Sequence, residues 1–519
     1  MNSRGARQLA DAVIASYRKG FDDYHMESLV RSDKLGTIQD GDSVIFCCRR
    51  GEREIELTEM CTEPSFDKVP RTFRKDLEFV MLTRYHEKFR HLPTAFGPQQ
   101  VPLPLAEVLS KAGKNQFHCA ESEKFAHVTF FFNGGRNKPV PGEADLCIPS
   151  PKGVAYDTVP VLSLPAVSEA VTHALGSYDF IVTNFANGDV IGHTPNREAK
   201  LAACDAVSKY LEETVRAATE HHYVVLIVAD HGNIEKLVTG KGTPDVAHTT
   251  NKVACILLDP EAKGRKPVLQ DGILGDVAPT ILQIMGLAQP SCMTGHSLVQ
   301  GWIPGSSRKV LLCILDGWGL GDGDGNDAIH IAHTPYWDWL LSHCVWSKLE
   351  ASGTAVGLGE GKAGNSEAGH TNLGAGRCVM QDDIRLDAAV ADGSFAKNPA
   401  IMHAILRAKE QGKAVHLITY LSHKSSHGNM GYAVEICRMA KREGLEKVYL
   451  HIIFDGRSTE PGSAPTLLME LEAQLDAVGV GEIVSGVGRG LALDRDGNYD
   501  KVKQAYDAMV EGSGTAYPV

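Results

Sequence analysis

The stretch Gly364–His370 places Ser366 in a turn between glycines, with a histidine close behind it. Glycine permits a tight backbone, so the serine hydroxyl is presented without a bulky neighbour. A serine hydroxyl is a good nucleophile only when a base or a metal ion activates it. Taken alone, a glycine-rich segment of this kind is more typical of a surface turn. A catalytic role for Ser366 therefore depends on the activating groups that the rest of the chain supplies.

Aspartate and histidine residues stand beside four apolar runs that predict buried strands. They are Asp189 and His193 after Phe180–Asn184, Asp230 and His231 after Tyr223–Ala229, Asp316 after Val310–Leu315, and His248 before Val253–Leu258. A single aspartate at a strand end more often caps a helix, so the inference rests on the joint pattern. Side chains at the carboxyl ends of parallel strands meet at one sheet edge. Imidazole and carboxylate ligands suit Mn, Zn or Co, and carboxylate-rich sets also suit Mg. With Ser366, the pattern predicts a two-metal site for phosphoryl transfer.

The elements that would position these residues follow an α/β pattern. Between residues 104 and 380, helical patterns such as Arg197–Glu220 alternate with apolar runs, and His127–Phe132 is predicted as a further buried strand. This alternation predicts a parallel sheet covered by helices on both faces. Residues 385–519 show a second helix–strand alternation, and residues 1–95 begin with a helix followed by short strands. The segment between residues 96 and 103 is predicted to be a linker.

The composition narrows the class of protein. The 519 residues are 43% hydrophobic and 22% charged, as in soluble globular chains of several domains. The net charge of −12 argues against nucleic-acid binding, although a local basic pocket can hold an anionic substrate. The 12 cysteines form no Cys-x-x-Cys pair, which indicates buried thiols in a reducing compartment. No apolar run reaches the ~18 residues of a membrane span, and no signal peptide is seen. We therefore expect a cytoplasmic protein without membrane or nucleic-acid partners.

Four motifs are highly specific: Leu315–Gly319, Gly364–His370, Ala229–Asn233 and Ala247–Asn251. They resemble those of the cofactor-independent (2,3-bisphosphoglycerate-independent) phosphoglycerate mutases, in the alkaline phosphatase superfamily. The resemblance covers nearly the whole chain, but its order is rotated, because the family's amino-terminal motifs here follow its carboxyl-terminal ones. This indicates a circular permutation, with the joint of the family's normal ends at residues 304–309 and the new termini close together.

The resemblance implies an alkaline-phosphatase-like parallel sheet domain over residues 104–380 and a second α/β transferase domain. The transferase domain is built from residues 1–95 and 385–519. The expected reaction interconverts 2-phosphoglycerate and 3-phosphoglycerate, which makes the protein an isomerase that works by phosphoryl transfer. Its expected partner is a small phosphorylated three-carbon acid, and members of the family are usually monomeric.

The resemblance also assigns the site residues. Two divalent ions are expected, most naturally Mn²⁺, with Mg²⁺, Co²⁺ or Zn²⁺ as alternatives. One ion is held by Asp189, His193 and His248, and the other by Asp316, Ser366, Asp230 and His231. Ser366 is the catalytic nucleophile that carries the phosphoryl group. The substrate-binding residues are His427, Arg457, Arg489, Arg495, Arg50, Arg53 and Lys124. Arginine suits this role because its planar fork makes two bonds to a carboxylate or phosphate.

Three departures from the family pattern bear on the acceptor. Ser458 replaces the aspartate that is thought to act as the family's general base, Gly490 and Leu491 replace two tyrosines, and the loop 422–429 is rewritten. Serine cannot act as a base without help, and His423 is a candidate replacement. Two alternatives therefore stand beside mutase activity. One is transfer of a phosphoryl or phosphonate-type group from an activated donor to a phosphoglycerate-like acceptor, in specialised phosphonate metabolism. The other is a metal-dependent phosphatase.

Overall fold

The structure is a computed structural model that describes residues 4–49, 53–99, 101–262, 267–300, 308–423, 425 and 427–518. The chain forms two compact units. Unit 1 consists of Met1–Gln99 and Arg385–Val519, and unit 2 of Gln100–Ile384. In the joint predicted at residues 304–309, residues 304–307 lie outside the described residues.

The strands are, in chain order, β1 Leu29–Arg31, β2 Ser43–Phe46, β3 Glu78–Thr83, β4 Thr94–Phe96, β5 Gln116–Glu121, β6 Glu143–Ile148, β7 Phe180–Phe185, β8 Val224–Val228, β9 Val253–Leu258, β10 Val268–Leu269, β11 Gly272–Ile273, β12 Val299–Gln300, β13 Val310–Leu315, β14 Val345–Glu350, β15 Val415–Leu421, β16 Val448–Phe454, β17 Glu482–Gly488 and β18 Thr515–Tyr517.

The α-helices are α1 Ala6–Arg18, α2 Ile55–Thr62, α3 Leu105–Lys111, α4 Leu164–Ala174, α5 Asn187–Gly192, α6 Arg197–Glu220, α7 Val277–Ile284, α8 Ala328–Ile331, α9 Pro335–His343, α10 Ser366–Ala375, α11 Asp382–Ala391, α12 Pro399–Glu410, α13 Met430–Arg442, α14 Ala464–Val478, α15 Arg489–Ala492 and α16 Tyr499–Val510. None of the helices in the described residues has the length and apolar character needed to cross a membrane.

Unit 2 is built on an eight-stranded sheet with the order β11-β14-β9-β8-β13-β7-β5-β6. Strands β8, β13, β7, β5 and β6 are mutually parallel, whereas β9 pairs antiparallel with both β8 and β14. The central strand β13 is buried along its whole length, as expected for a continuous apolar run between two helical layers. The long helix α6 begins where the Asn196 side chain accepts a hydrogen bond from the backbone N–H of Ala199.

Unit 1 has its own eight-stranded sheet, in the order β18-β1-β17-β16-β15-β2-β3-β4. Its pairs are parallel except β1 with β17, so the carboxyl ends of β17, β16, β15 and β2 share one edge. Strand β1 from the first thirty-odd residues pairs with β18 from the last few, with Leu29 opposite Thr515. One apolar core lies on each face of the sheet. The predicted α/β class is thus confirmed, with two large, mainly parallel sheets.

One predicted strand is wrong. Residues His127–Phe131 form a short π-helical turn after β5 instead of a strand. Val128 and Phe132 are buried while the residues between them are half-buried, a spacing that a helix produces and a strand does not. A short apolar run cannot distinguish these two structures by its hydrophobicity, which explains the error.

Candidate active site

Three aspartates of unit 2 follow neighbouring strands. Strand β13 lies between β7 and β8, with Leu315 paired to Phe185 and Ile314 paired to Val228. Asp316 continues directly from β13, Asp230 follows β8, and Asp189 lies in the short helix α5 after β7. The register therefore places all three carboxylates at one edge of the sheet. His248 reaches the same edge from the start of β9, because β9 runs antiparallel to β8.

Glycines of the Gly364–His370 stretch allow Ser366 to approach this edge. A Cβ atom on Gly364 would lie 2.1 Å from the carbonyl oxygen of Ala351, and one on Gly369 would lie 2.7 Å from Cβ of Asp230. Any larger residue would therefore push the turn away from the sheet. Ser366 is the first residue of α10, at the end of a helix where backbone N–H groups favour an anion.

The first group of candidate ligand atoms surrounds Oδ1 of Asp189. Nε2 of His193 lies 3.2 Å from that oxygen, and Nε2 of His248 lies 2.9 Å from it. The two imidazole nitrogens are themselves 3.0 Å apart. Each ring donates its Nδ1–H to a backbone carbonyl, His193 to Val246 and His248 to Gly364, both at 2.8 Å. These bonds leave the Nε2 lone pairs available, which is the arrangement found in metal-binding histidines.

The second group surrounds the hydroxyl of Ser366. Its Oγ lies 3.0 Å from Nε2 of His231 and 3.1 Å from Oδ1 of Asp316. Nε2 of His231 lies 3.5 Å from both Asp316 Oδ1 and Asp230 Oδ2. Oδ2 of Asp230 is buried and, within the described residues, accepts no well-oriented hydrogen bond. Such an unsatisfied carboxylate oxygen beside other ligand atoms fits a divalent cation.

Lys124 lies in this cluster and not among the basic residues of unit 1. Its ammonium group donates hydrogen bonds to Asp189 Oδ2 at 2.6 Å, Asp316 Oδ1 at 2.8 Å and Ser366 Oγ at 2.7 Å. Burial alone would lower the pKa of Lys124, but the surrounding carboxylates raise it above its ordinary value. The lysine is therefore held as a cation directly beside the serine hydroxyl.

The environment shifts the pKa values of the three aspartates in different directions. Burial opposes ionisation of Asp230 and Asp189, yet the pKa of each lies well below its usual range, because His231 and Lys124 respectively favour the charged form. Burial and the adjacent Asp230 carboxylate instead raise the pKa of Asp316. The buried carboxylates thus carry more negative charge than the ammonium group of Lys124 can balance. Additional cations would therefore bind favourably at this site.

Sequence reasoning missed the residues that support the ligands. His370 donates from Nδ1 to the backbone oxygen of Ser366 at 2.9 Å, and its Nδ1 lies 3.3 Å from Oδ2 of Asp230. Asn184 donates to both His370 Nε2 and Asp316 Oδ2, at 3.0 and 2.7 Å. The signal for His370 was its position four residues after Ser366, which places both on one face of a helix. No comparable signal marks Asn184.

The predicted substrate-binding residues of unit 1 follow the strand ends of its sheet. His427 lies after β15, Arg457 after β16, and Arg489 begins α15 directly after β17. Arg53 donates to the carbonyl of Leu493 at 3.1 Å, two residues before the exposed Arg495. These five residues therefore share the carboxyl edge of one sheet, whereas Arg50 lies outside the described residues.

Two of these residues have buried acidic partners. Arg489 forms an ion pair with Asp455 at 2.9 Å, and Asp455 also accepts the backbone N–H of the exposed Ser458 at 3.1 Å. His427 is paired through Nδ1 with Glu54 at 3.0 Å. His423, the candidate base, is half-exposed and instead bonds to Glu470 at 2.8 Å.

Two family profiles match different parts of the chain. The sequence profile of the Metalloenzyme superfamily matches residues 9–289, and a profile described as the BPG-independent PGAM N-terminus matches residues 386–518. The chain belongs to the metalloenzyme superfamily.

Individual relatives carry the same description. The 2,3-bisphosphoglycerate-independent phosphoglycerate mutase of Flavobacterium johnsoniae is 42% identical over 294 residues, which is 56% of this chain and 57% of that protein. The enzyme of the same name from Syntrophotalea carbinolica is 44% identical over 296 residues, again 56% of this chain and 57% of that protein. The match thus spans little more than half the length of these relatives. The resemblance inferred from the four motifs is confirmed.

Proposed function

We propose that this protein interconverts 2-phosphoglycerate and 3-phosphoglycerate by moving a phosphoryl group through Ser366. The observation that carries the proposal is the position of the Ser366 hydroxyl, within 3.1 Å of Asp316, His231 and Lys124 at the start of a helix. A nucleophile surrounded by ligand groups and by one cation suits the attack of an oxygen on a negatively charged phosphoryl group.

We assign two divalent ions to the two ligand groups of unit 2. Asp189, His193 and His248 would hold one ion, and Asp316, Asp230, His231 and Ser366 the other. The mixed imidazole and carboxylate ligands favour Mn²⁺, with Co²⁺, Zn²⁺ and Mg²⁺ as competitors. When bound, such ions favour the ionised serine and neutralise charge on the phosphoryl group. Lys124 adds a further positive charge beside Ser366 Oγ, and His370 holds the backbone carbonyl of Ser366.

We assign substrate binding to the strand ends of unit 1. Arg53, Arg457, Arg489 and Arg495 would bind the carboxylate and phosphate groups of a phosphorylated three-carbon acid, because guanidinium groups match both anions. His427 belongs to the same edge, and Arg50 is included on the resemblance alone. Unit 1 would then be the transferase domain and unit 2 the metal-binding domain.

We also propose that the chain is a circular permutation of the family's order. The profile described as an amino-terminal part matches the last residues of this chain, which supports this reading. The pairing of β1 with β18 supports it as well, since it brings the two ends of the chain to one sheet. Joining the present termini through a short linker and opening the chain at residues 304–309 would test this. The relinked protein should fold and keep its activity.

The activity is tested by incubating the Mn²⁺-loaded protein with 3-phosphoglycerate and following the products by phosphorus NMR. Formation of 2-phosphoglycerate to a fixed equilibrium ratio is the expected result, and Ser366→Ala should abolish it. Release of inorganic phosphate without 2-phosphoglycerate would contradict the mutase proposal. Chelation followed by Mn²⁺ addition should remove and then restore the activity.

A further inference from the structure

A buried carboxylate–imidazole pair lies at the strand ends of unit 1. Oε1 of Glu54 lies 3.0 Å from Nδ1 of His427, and the side chains are 0% and 4% exposed. The two residues are separated by 373 positions in the chain, so the fold brings them together. A histidine paired in this way to a carboxylate has a fixed ring orientation and a fixed tautomer.

The surrounding contacts hold the pair rigidly. The backbone oxygen of His427 accepts the N–H of Arg49 at 2.8 Å, and the Arg49 guanidinium donates to the carbonyl of Ser425 at 2.7 Å. The imidazole lies against the Tyr420 ring, with centroids 5.9 Å apart. Because Nδ1–H donates to Glu54, the lone pair of His427 is on Nε2. Within the described residues this nitrogen has no hydrogen-bond partner. It is therefore able to accept a proton.

Other candidates for a base near this edge are already engaged. Ser458 stands at the position where the family has an aspartate, and a serine hydroxyl does not accept a proton near neutral pH. Asp455 is occupied by Arg489, Tyr420 and the Ser458 backbone. His423 bonds to Glu470 and is half-exposed. Of these groups, only His427 combines burial, a carboxylate partner and a lone pair with no hydrogen-bond partner in the part of the chain that the structure describes.

We propose that His427 is the acid–base residue of this enzyme and that Glu54 is its positioning residue. This inference rests on the proposed function. In the first half-reaction, the ionised Oγ of Ser366 bonds to phosphorus, the substrate oxygen–phosphorus bond breaks, and the departing alkoxide takes a proton from protonated Nε2. In the second, a glycerate hydroxyl bonds to phosphorus, its proton passes to Nε2, and Ser366 Oγ departs. The histidine is protonated at the start and at the end of the cycle and neutral in between, and Glu54 offsets the positive charge of the protonated ring.

The test compares two phosphoryl donors that differ in their need for an acid. With 3-phosphoglycerate the leaving alkoxide needs a proton, whereas with 4-nitrophenyl phosphate the nitrophenolate leaves without one. His427→Gln should lower kcat for isomerisation by about 10²- to 10⁴-fold but slow the rapid nitrophenolate release by less than about tenfold, because only isomerisation needs the acid. Glu54→Gln should lower kcat for isomerisation by at least about tenfold, with little change in KM and in nitrophenolate release. Asp22→Asn is the control, because it alters an exposed histidine–carboxylate pair of the same unit.

Several results would overturn the inference. One is an equal loss of isomerisation and nitrophenolate release in His427→Gln. Another is an unchanged isomerisation rate in His427→Gln. A third is a loss of isomerisation in His423→Ala as large as that in His427→Gln. If His427→Gln does not fold, the selectivity of the loss in Glu54→Gln decides in the same way, with thermal unfolding as the check on folding. A wild-type protein without isomerisation and without nitrophenolate release would instead contradict the proposed function itself.

Discussion

The ammonium group of Lys124 donates a hydrogen bond of 2.7 Å to the hydroxyl of Ser366 and one of 2.6 Å to Asp189. The same lysine also contacts Asp316, so a single cation joins carboxylates from the ends of β7 and β13 to the serine. This relationship explains how a cluster rich in buried carboxylates is held together. We infer that Lys124 and the proposed metal ions both balance the negative charge of these carboxylates.

Lys124→Met tests this sharing. Without the ammonium group, the metal-free protein holds uncompensated buried carboxylates, so chelation should lower the Tm of the variant more than that of the wild type. Activity of the metal-loaded variant should fall by about 10²-fold, because positive charge beside the transferring group is lost. Thermal unfolding with and without chelator measures the first effect. Lys111→Met, at an exposed helical lysine, should match the wild type in both, and an equal chelation effect in both variants would contradict the shared role.

His248→Ala tests the assignment of two ions. The variant removes one of three ligand atoms around Asp189 while leaving the group around Ser366 complete, so one ion should be lost and one retained. Elemental analysis of dialysed protein should show about half the wild-type metal content. His25→Ala, at an exposed site, should keep the full content. Loss of all metal, or of none, in His248→Ala would contradict two separate sites.

Asp145→Asn tests a pH effect on stability in strand β6. Burial and the neighbouring Glu143 raise the pKa of Asp145 from 3.8 to about 6. Because the folded state binds this proton more tightly than the unfolded chain, the contribution of Asp145 to stability is full below pH 3.8 and declines until about pH 6. An asparagine does not ionise. The variant should therefore gain stability over the wild type as pH rises through that window, and keep the gain above it.

The nearby His118 has the opposite dependence but does not obscure this test. Burial lowers the pKa of His118 from 6.5 to about 4, and the Asp145 carboxylate partly opposes this lowering. The penalty for charging His118 therefore appears as pH falls and is at least as large in Asp145→Asn, which increases the expected difference between low and high pH. Urea unfolding at about pH 4.5 and about pH 8 measures the difference between wild type and Asp145→Asn. A gain of equal size at both values would contradict the raised pKa. Glu169→Gln, at an exposed helical position, serves as the control for a lost surface charge.

Gly490→Ala tests the close packing at one of the positions where a family tyrosine is replaced. A Cβ atom there would lie 2.7 Å from Cε1 of Tyr24 and 2.9 Å from its backbone oxygen, so the segment carrying Tyr24 would have to move. We expect a loss of about 1–3 kcal/mol in the free energy of unfolding, measured by urea denaturation. At Gly97 an added Cβ meets no atom within 4 Å, so Gly97→Ala should cost much less. Equal effects of the two substitutions would show that the contact is unimportant.

The α/β class was predictable because its evidence is local. Strand β13 appears in the sequence as six apolar residues that end at Asp316, and neither feature requires knowledge of distant residues. The direction of each strand was harder to predict from the sequence, because the antiparallel pairing of β9 with β8 depends on tertiary contacts. The position of His248 could be foreseen only as a residue near a strand, and the reason it reaches the same edge lies in that antiparallel pairing.

The parts of the site that escaped prediction depend on long-range contacts. The pairing of Glu54 with His427 joins residues 373 positions apart, and nothing in the sequence around either residue indicates that they are partners. The substrate-binding role of Lys124 stays a prediction from its motif, whereas its three hydrogen bonds to Asp189, Asp316 and Ser366 are visible only in the folded chain. His127–Phe131 was misassigned because a short apolar run is compatible with both a strand and a helical turn.

The central claim is that the phosphoryl group travels on Ser366, and the most direct measurement is to trap it there. The Mn²⁺-loaded protein is mixed with 3-phosphoglycerate labelled in its phosphate, quenched within one turnover, digested and mapped. The account predicts label on the peptide that contains Ser366 in the wild type and none in Ser366→Ala. Isomerisation by the wild type without label on that peptide, or label retained by Ser366→Ala, would contradict it.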